Sequence, residues 1–381
     1  MTPQPVHADD ALYAMALSRL AGLNLTNALL LYRHFGDARQ VYEHRNHLED
    51  NVENCQPRLA AALKDWGDAL RRAESEMEFA NKHGVQVLTP ASSAYPARLR
   101  DCPDAPVVLY YRGTADLNAT HIVSIVGTRH CTAYGHDLVK NFMAGLRQSC
   151  PDAIIVSGLA YGVDISAHRQ ALAQGMQTVG VLAHGIDELY PPQHRETARA
   201  MIKQGGILTE YMTQTRADKV NFVKRNRIVA GMADATILIE SAAKGGGLIT
   251  MRIANSYSRQ VFAFPGAVGA PYSEGCNNLI RDNVAALITS ADDFTAAMGW
   301  QEEAEKQKTR EKGIERQLFP QLTDDERAVV ELLQKTNDLQ LNTIAVKANI
   351  AVPALAALLF SLEMKGLVRP LAGGTYHLYN M

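Results

Sequence analysis

The sequence predicts an α/β protein: a parallel sheet core, a helical segment ahead of it and a small winged-helix unit behind it. Three observations carry that reading. From about Val85 to Asp293, short apolar runs alternate with stretches of helical periodicity. Ahead of them, apolar residues recur three and four apart. Behind a charged linker, three helical patterns lead into a strand pair around Ala372-Gly373-Gly374.

The first segment, residues 9–84, carries Leu12, Met15, Ala16 and Leu20, then Leu25, Leu29, Leu30 and Tyr32, with breaks at Gly22 and Gly36. That spacing is the buried stripe of a helix, and glycine ends it. The stretch Leu20–Gly36 resembles a helix-hairpin-helix or sterile-alpha-motif-like module. Such a hairpin can hold a phosphate on the unpaired N–H groups of a helix N-terminus. It can equally be a packing or protein-contact module, since only Arg33 and His34 lie near.

The second segment, residues 85–300, holds the runs Val107–Tyr111, Ile122–Val126, Ile154–Val156, Thr178–Leu182, Gly206–Thr209, Ala235–Ile239, Gln260–Phe264 and Ala286–Thr289. Between them, Tyr134–Leu146 and Leu248–Ser256 have helical periodicity, and another helix starts near Asn221. Apolar strands alternating with helices are βαβ units, which build a parallel sheet covered on both faces. Ligands of such sheets gather beyond the carboxyl ends of the strands.

Residues 301–320 form the linker, with interleaved Glu, Lys, Gln and Arg and no strong apolar stripe, as in a solvated tether or an isolated charged helix. In residues 321–381, Thr323-Asp324-Asp325-Glu326 matches a capping box opening Ala328–Gln334. Asn342–Ala348 and Val352–Lys365 follow, and Leu367–Leu371 and Thr375–Tyr379 make the hairpin of a winged helix.

Composition narrows the function. The 381 residues allow about two or three domains. With 47% hydrophobic and 20% charged residues, the chain is not disordered as a whole. The formal net charge is -2, so a polyanion must be attracted locally if at all. Cys55, Cys102, Cys131, Cys150 and Cys276 are scattered, with no disulfide framework or zinc spacing. Met1–Asp10 has no signal-peptide pattern, and no apolar run reaches membrane-spanning length. The expected compartment is a reducing cytoplasm, with no metal and no cofactor.

Four strand ends run into loops of small residues: Gly127-Thr128-Arg129, Ser157-Gly158-Leu159-Ala160-Tyr161-Gly162, Ala183-His184-Gly185 and Glu240-Ser241-Ala242-Ala243-Lys244-Gly245-Gly246-Gly247. In a parallel sheet they share one edge, where glycine lets backbone N–H groups approach an anion. Arg129, Lys224, Arg225, Arg227 and Lys244 attach five cations to that edge. Arginine donates two parallel hydrogen bonds to phosphate, and Phe222 or Tyr134 offers a ring for a base. Core packing is the alternative role for either ring. No G-x-x-x-x-G-K-[ST], no G-x-G-x-x-G after a strand and no G-x-S-x-G occurs. His168 and His184 can pair with Asp164 or Asp187 for acid-base work, but Asp164 as a helix cap with His168 packed beneath it is the stronger reading.

Read together, Val126–Gly135, Ser157–His168, Asn221–Gly231 and Lys244–Thr250, with Phe264-Pro265-Gly266 and Gly275–Ile280, resemble the DprA (Smf) family of bacterial DNA-processing proteins. The resemblance implies a sterile-alpha-motif-like front, an extended Rossmann core and a C-terminal winged helix. It implies a cytoplasmic homodimer, not an enzyme, that binds incoming single-stranded DNA in natural transformation, protects it and loads the RecA recombinase onto it. By motif position it puts Arg129 and Lys244 on phosphates, Phe222, Arg225 and Arg227 along the same pocket, and Asn221 and Asn226 as positioning groups. The full DNA-contacting set is Gly127, Thr128 and Arg129; Ser157 and Gly158; Asn221, Phe222, Lys224, Arg225, Asn226 and Arg227; and Lys244, Gly245, Gly246 and Gly247.

Two rivals remain. A phosphoribohydrolase-like nucleotide hydrolase shares such a core, but its catalytic carboxylate follows the glycines; here only Glu240, ahead of them, is near. A duplex-binding regulator would read bases with Val352–Lys365, which has no Arg, Lys, Asn or Gln before Lys365. So apolar a helix fits a protein contact or a core element better.

Overall fold

In the computed structural model, which describes residues 6–52, 55–300, 322–365, 367–371 and 374–378, the chain forms two units, 1–301 and 302–381. The first opens with helices α1 (Val6–Leu17), α2 (Leu25–Phe35), α3 (Ala38–Glu43), α4 (Leu48–Asn51), α5 (Pro57–Ala62) and α6 (Gly67–His83). Asn24 and Asp37 start α2 and α3 by accepting the N–H of Asn27 and Gln40, each at 2.7 Å. The helices bury Leu29, Tyr32, Val41 and Trp66 in one cluster with Val108 and Tyr110. Arg33 is committed there: its guanidinium donates to the carbonyls of Arg100 and Cys102.

The sheet and its crossings follow as β1 (Gln86–Leu88), α7 (Ala97–Arg100), β2 (Leu109–Gly113), β3 (Ile122–Val126), α8 (Ala133–Ser149), β4 (Ile154–Ser157), α9 (Val163–Ala173), β5 (Thr178–Val181), α10 (Arg195–Lys203), β6 (Gly205–Thr209), α11 (Lys219–Gly231), β7 (Ala235–Leu238), α12 (Gly246–Ser256), β8 (Gln260–Ala263), α13 (Glu274–Arg281), β9 (Ala286–Leu287) and α14 (Ala291–Ala297). Strand order is β1-β2-β6-β5-β4-β3-β7-β8-β9. From β6 to β9 neighbours are parallel. The expected strand at Val107–Tyr111 needs correction: it runs 109–113 and pairs antiparallel with β6, and β1 antiparallel with β2. Apolar patterning reports burial and carries no strand direction, so the sequence could not show this.

β3 and β7 are buried along their whole length. One sheet face packs Val126, Val156 and Leu238 with Ile228 of α11 and Met251 of α12. The other packs Ile125 and Ile237 with Phe142 of α8, Ala167 of α9 and Phe294 of α14. The chain steps from β3 to β6 toward one edge, then returns to place β7 on the other side of β3. Connections leaving β3 and β7 therefore diverge, opening a crevice at their carboxyl ends.

The second unit comprises α15 (Asp324–Lys335), β10 (Leu339–Gln340), α16 (Leu341–Ala348), α17 (Val352–Met364), β11 (Val368–Leu371) and β12 (Thr375–Leu378), with sheet order β10-β12-β11. This is a winged helix, and the expected capping box is present between Thr323 and Glu326. The buried Glu326 also accepts Lys365 Nζ and Ser361 Oγ, each at 2.7 Å. The linker 301–320 lies outside the described residues.

Candidate functional site

A cleft of about 720 Å³ fills the crevice. The loop after β3 forms one wall. Thr128 N–H donates to the Glu240 carbonyl at 2.8 Å, and Val163 N–H to the Thr128 carbonyl at 3.1 Å. Gly127 is required because a Cβ would lie 2.9 Å from the Glu240 carbonyl oxygen. Gly162 has φ 76°, and a Cβ there would press on the Arg129 backbone at 2.6 Å. These close approaches turn Arg129 outward, exposed and on the cleft.

The loop after β7 forms the opposite wall, with Lys244 exposed at its rim. Its glycines do more than turn: Gly246 and Gly247 are the first residues of α12, and Gly247 lies where a Cβ would sit 3.2 Å from Gly127 Cα. No side chain caps α12, and Gly245, Gly246 and Gly247 line the cleft. The helix therefore offers uncapped N–H groups and the positive end of its dipole beside Lys244.

α11 supplies the third wall. Asp218 caps it by accepting Asn221 N–H at 2.8 Å. Lys219, Phe222, Arg225, Asn226 and Val229 line the cleft, the three- and four-residue spacing of one helix face. The guanidinium carbons of Arg129 and Arg225 stand 5.0 and 5.8 Å from the Phe222 ring centre.

Arg225 differs from its neighbours in being only 3% exposed. Its Nη1 donates to the carbonyls of Gly158 and Val181. A Cβ on Gly158 would lie 2.6 Å from the guanidinium carbon, so that glycine makes room for the arginine. Burial lowers the Arg225 pKa to about 10, with Arg129 adding to the effect and Asp164 opposing it. It stays charged at neutral pH, as a fixed cation in the floor. Asp164 lies beside it, its pKa raised chiefly by burial while Arg225 pulls the other way.

Several expected contacts are not brought to the cleft. Arg227 is buried and pairs with Glu210 at 2.6 Å, because two residues beyond Arg225 a helix points elsewhere. Ser157 is buried and donates to the Ile125 carbonyl at 2.6 Å. Asn221 and Lys224 fall off the lining face of α11. Tyr134 donates to the Pro265 carbonyl at 2.7 Å and lines a separate cavity of about 440 Å³. Gly185 packs inward, its N–H on the Thr215 carbonyl at 2.9 Å.

The acid-base candidates are engaged structurally. His168 is buried against Thr178 Oγ1 at 2.7 Å, and its pKa falls to about 3, first through burial. His184 accepts Tyr190 N–H at 3.2 Å. Asp187 accepts Gln214 N–H. Glu240 accepts the N–H and Oγ1 of Thr132 at 2.8 and 2.6 Å. Among the described residues no cluster of three metal-ligating side chains occurs, and no single helix is long and apolar enough to cross a membrane.

Lys219, Tyr190, Tyr272 and His130 line the cleft without having been singled out from the sequence. Lys219 was findable, one turn ahead of Phe222. The others sit on loops whose course no periodicity reports.

A family model described as DNA recombination-mediator protein A matches residues 86–299, and one described as DprA winged helix domain matches residues 315–374. Protein Smf of Synechocystis sp. is 30% identical over 392 residues, covering 96% of this chain and 98% of its own. DNA processing protein DprA of Streptococcus pneumoniae is 37% identical over 202 residues, covering 53% of this chain and 70% of its own. The X-ray structure of DprA from Streptococcus pneumoniae aligns with 72% of this chain and 98% of its own at a TM-score of 0.57 and 29% identity. A Helicobacter pylori DprA structure described for its single-stranded DNA binding mode aligns with 56% of this chain and 95% of its own at a TM-score of 0.51 and 28% identity.

Proposed function

The chain belongs to the DNA recombination-mediator protein A family, and from that premise we propose that it binds single-stranded DNA in the β3–β7 cleft. In the same reading it protects incoming DNA, loads RecA onto it in natural transformation, and works as a cytoplasmic homodimer without a catalytic step or a cofactor. One observation carries the proposal: Arg129, Lys219, Lys244 and the uncapped start of α12 converge around Phe222. Phosphates held by cations and backbone N–H groups, with a base on a ring, suit a strand whose sequence is immaterial.

The winged helix is proposed to contact protein rather than duplex. Its α17 exposes Phe360 and Met364 by 64% and 75%, an apolar face with little to offer base edges.

Fluorescence anisotropy on labelled oligo-dT tests the cleft. Arg129→Ala and Lys244→Ala each weaken binding about tenfold or more while the circular dichroism spectrum is retained. Wild-type affinity in both variants rejects the assignment. RecA loading is read from filament assembly on strands preincubated with the protein, and a nucleotide-release assay with Glu240→Gln as control checks for hydrolysis.

A further inference from the structure

Phe222 is not the last ring along the carboxyl edge of the sheet. Tyr190, in the loop between β5 and α10, lines the cleft with its ring centre 5.7 Å from that of Phe222 and is 42% exposed. Tyr161, in the loop between β4 and α9, is 40% exposed. Its hydroxyl donates to Gln193 Oε1 at 3.0 Å, and its ring meets His194 edge-on at 5.1 Å. The two tyrosines therefore flank the same short segment, 191–194.

That segment is anchored firmly for a surface loop. Buried His184 sits against the Gly185 carbonyl at 2.9 Å and accepts Tyr190 N–H at its other ring nitrogen. Buried His194 bonds the Leu159 carbonyl at 2.9 Å, tying the segment to the loop that carries Tyr161. Neither histidine lines the cleft. Their bonds fix where the two open rings stand. An exposed cation continues the line: Arg169 donates to Thr197 Oγ1 at 3.4 Å and lies close enough to His194 to act on its charge.

Resting on the single-strand reading of the cleft, we propose that the bound strand leaves it along Tyr190 and then Tyr161, its bases stacking on these rings and its backbone passing Arg169. Three rings in succession, Phe222, Tyr190 and Tyr161, with a cation at each end, form the alternation of stacking platform and positive groove that holds an unpaired strand of any sequence. A duplex keeps its bases stacked on each other and has none to give to the lane.

The test compares a short oligo-dT of about 4 nucleotides, filling the cleft alone, with one of about 12 that overruns it. Tyr161→Ala weakens the longer strand about five- to tenfold and leaves the shorter unchanged; Tyr190→Ala weakens the longer by a similar factor. Tyr161→Phe keeps the ring and wild-type affinity. A 2-aminopurine base beyond the cleft-bound nucleotides is quenched by the wild-type protein and by Tyr161→Phe, not by Tyr161→Ala. Both side chains are exposed, so the fold survives truncation. If both alanine variants hold the longer strand as the wild type does while Arg129→Ala loses it, the lane is wrong and the cleft stands. If Tyr161→Ala weakens both strands equally, it acts through the cleft and the lane is again wrong. If Arg129→Ala also binds both strands normally, the single-strand reading itself falls.

Discussion

Replacing Arg225 by alanine separates what the cleft is made of from what it touches. The guanidinium gives two hydrogen bonds to the buried carbonyls of Gly158 and Val181. Hydrogen bonds involving a charged group contribute about 1.5–3 kcal/mol each, and removal leaves both carbonyls without that donor. Burying the charge offsets part of this, as the lowered pKa shows, so the expected loss is about 3 kcal/mol of stability in the first unit. Trp66 and Trp300 both lie in that unit, so tryptophan fluorescence during urea unfolding reports it alone. With an m-value of about 3 kcal/mol/M the midpoint falls by roughly 1 M. Gly158→Ala follows the same course from the other side, its new methyl pressing on the guanidinium. Arg129→Ala and Lys244→Ala, both exposed, leave the midpoint in place and lose oligo-dT. An unchanged midpoint in Arg225→Ala, with affinity alone reduced, would refute the argument by making Arg225 a direct ligand contact.

Other outcomes follow from the same geometry. With three phosphate-facing cations, log affinity falls against log salt with a slope of about -2, so a fourfold rise in salt weakens oligo-dT about fifteenfold; a flat profile rejects phosphate contact. Stacking on Phe222 requires an unstacked base, which costs a duplex a few kcal/mol, so a blunt duplex competes about a hundredfold less well than oligo-dT of equal length; equal competition rules out the ring's role. The Asp164 pKa is raised, so protonation as pH falls removes a negative charge beside Arg225 and Arg129 and binding tightens. Asp164→Asn should bind more tightly at neutral pH and lose that pH dependence; identical profiles would discard the idea. In the second unit the Glu326 pKa is lowered from 4.5 to about 2, so its contribution is full above 4.5 and is lost as pH drops toward 2. Calorimetry of the full chain should show that loss as a lowered second-unit transition at acid pH in the wild type but not in Glu326→Gln.

The central strands were legible because a strand buried on both faces has no polar positions to blur it: Ile122–Val126 is β3 residue for residue. β1 was not legible, since three residues carry too little pattern to stand out. The glycine-rich loops mark the cleft edge, yet Gly246 and Gly247 look like turn residues, so the sequence hides that they open α12. Only the packed structure shows that Gly247 is helical where α12 abuts Gly127. Arg225 and Arg227 look equivalent in the sequence. A helix separates them by more than half a turn, giving one to the cleft floor and the other to Glu210. Helical phase alone would have drawn that line and picked out Lys219. Tyr190 had no local signal, because its place depends on His184 and His194 bonding across loops.

A net charge of -2 and the polyanion site proposed for the cleft are compatible for a physical reason. Fields from exposed charges fade within about 10 Å at ordinary salt, so the ligand feels the cleft rather than the sum. In the first unit, several other cations are matched by carboxylates: Arg98 with Asp234, Arg72 with Glu76, Arg227 with Glu210. Within the cleft, Arg129, Lys219 and Lys244 reach the rim, Arg225 is locked beneath, and the start of α12 adds a partial charge that no side chain caps. These charges are gathered in one crevice, where a phosphate would meet several donors at once. Selectivity then comes from shape: a ring on the wall of that crevice takes only a base that has left its stack.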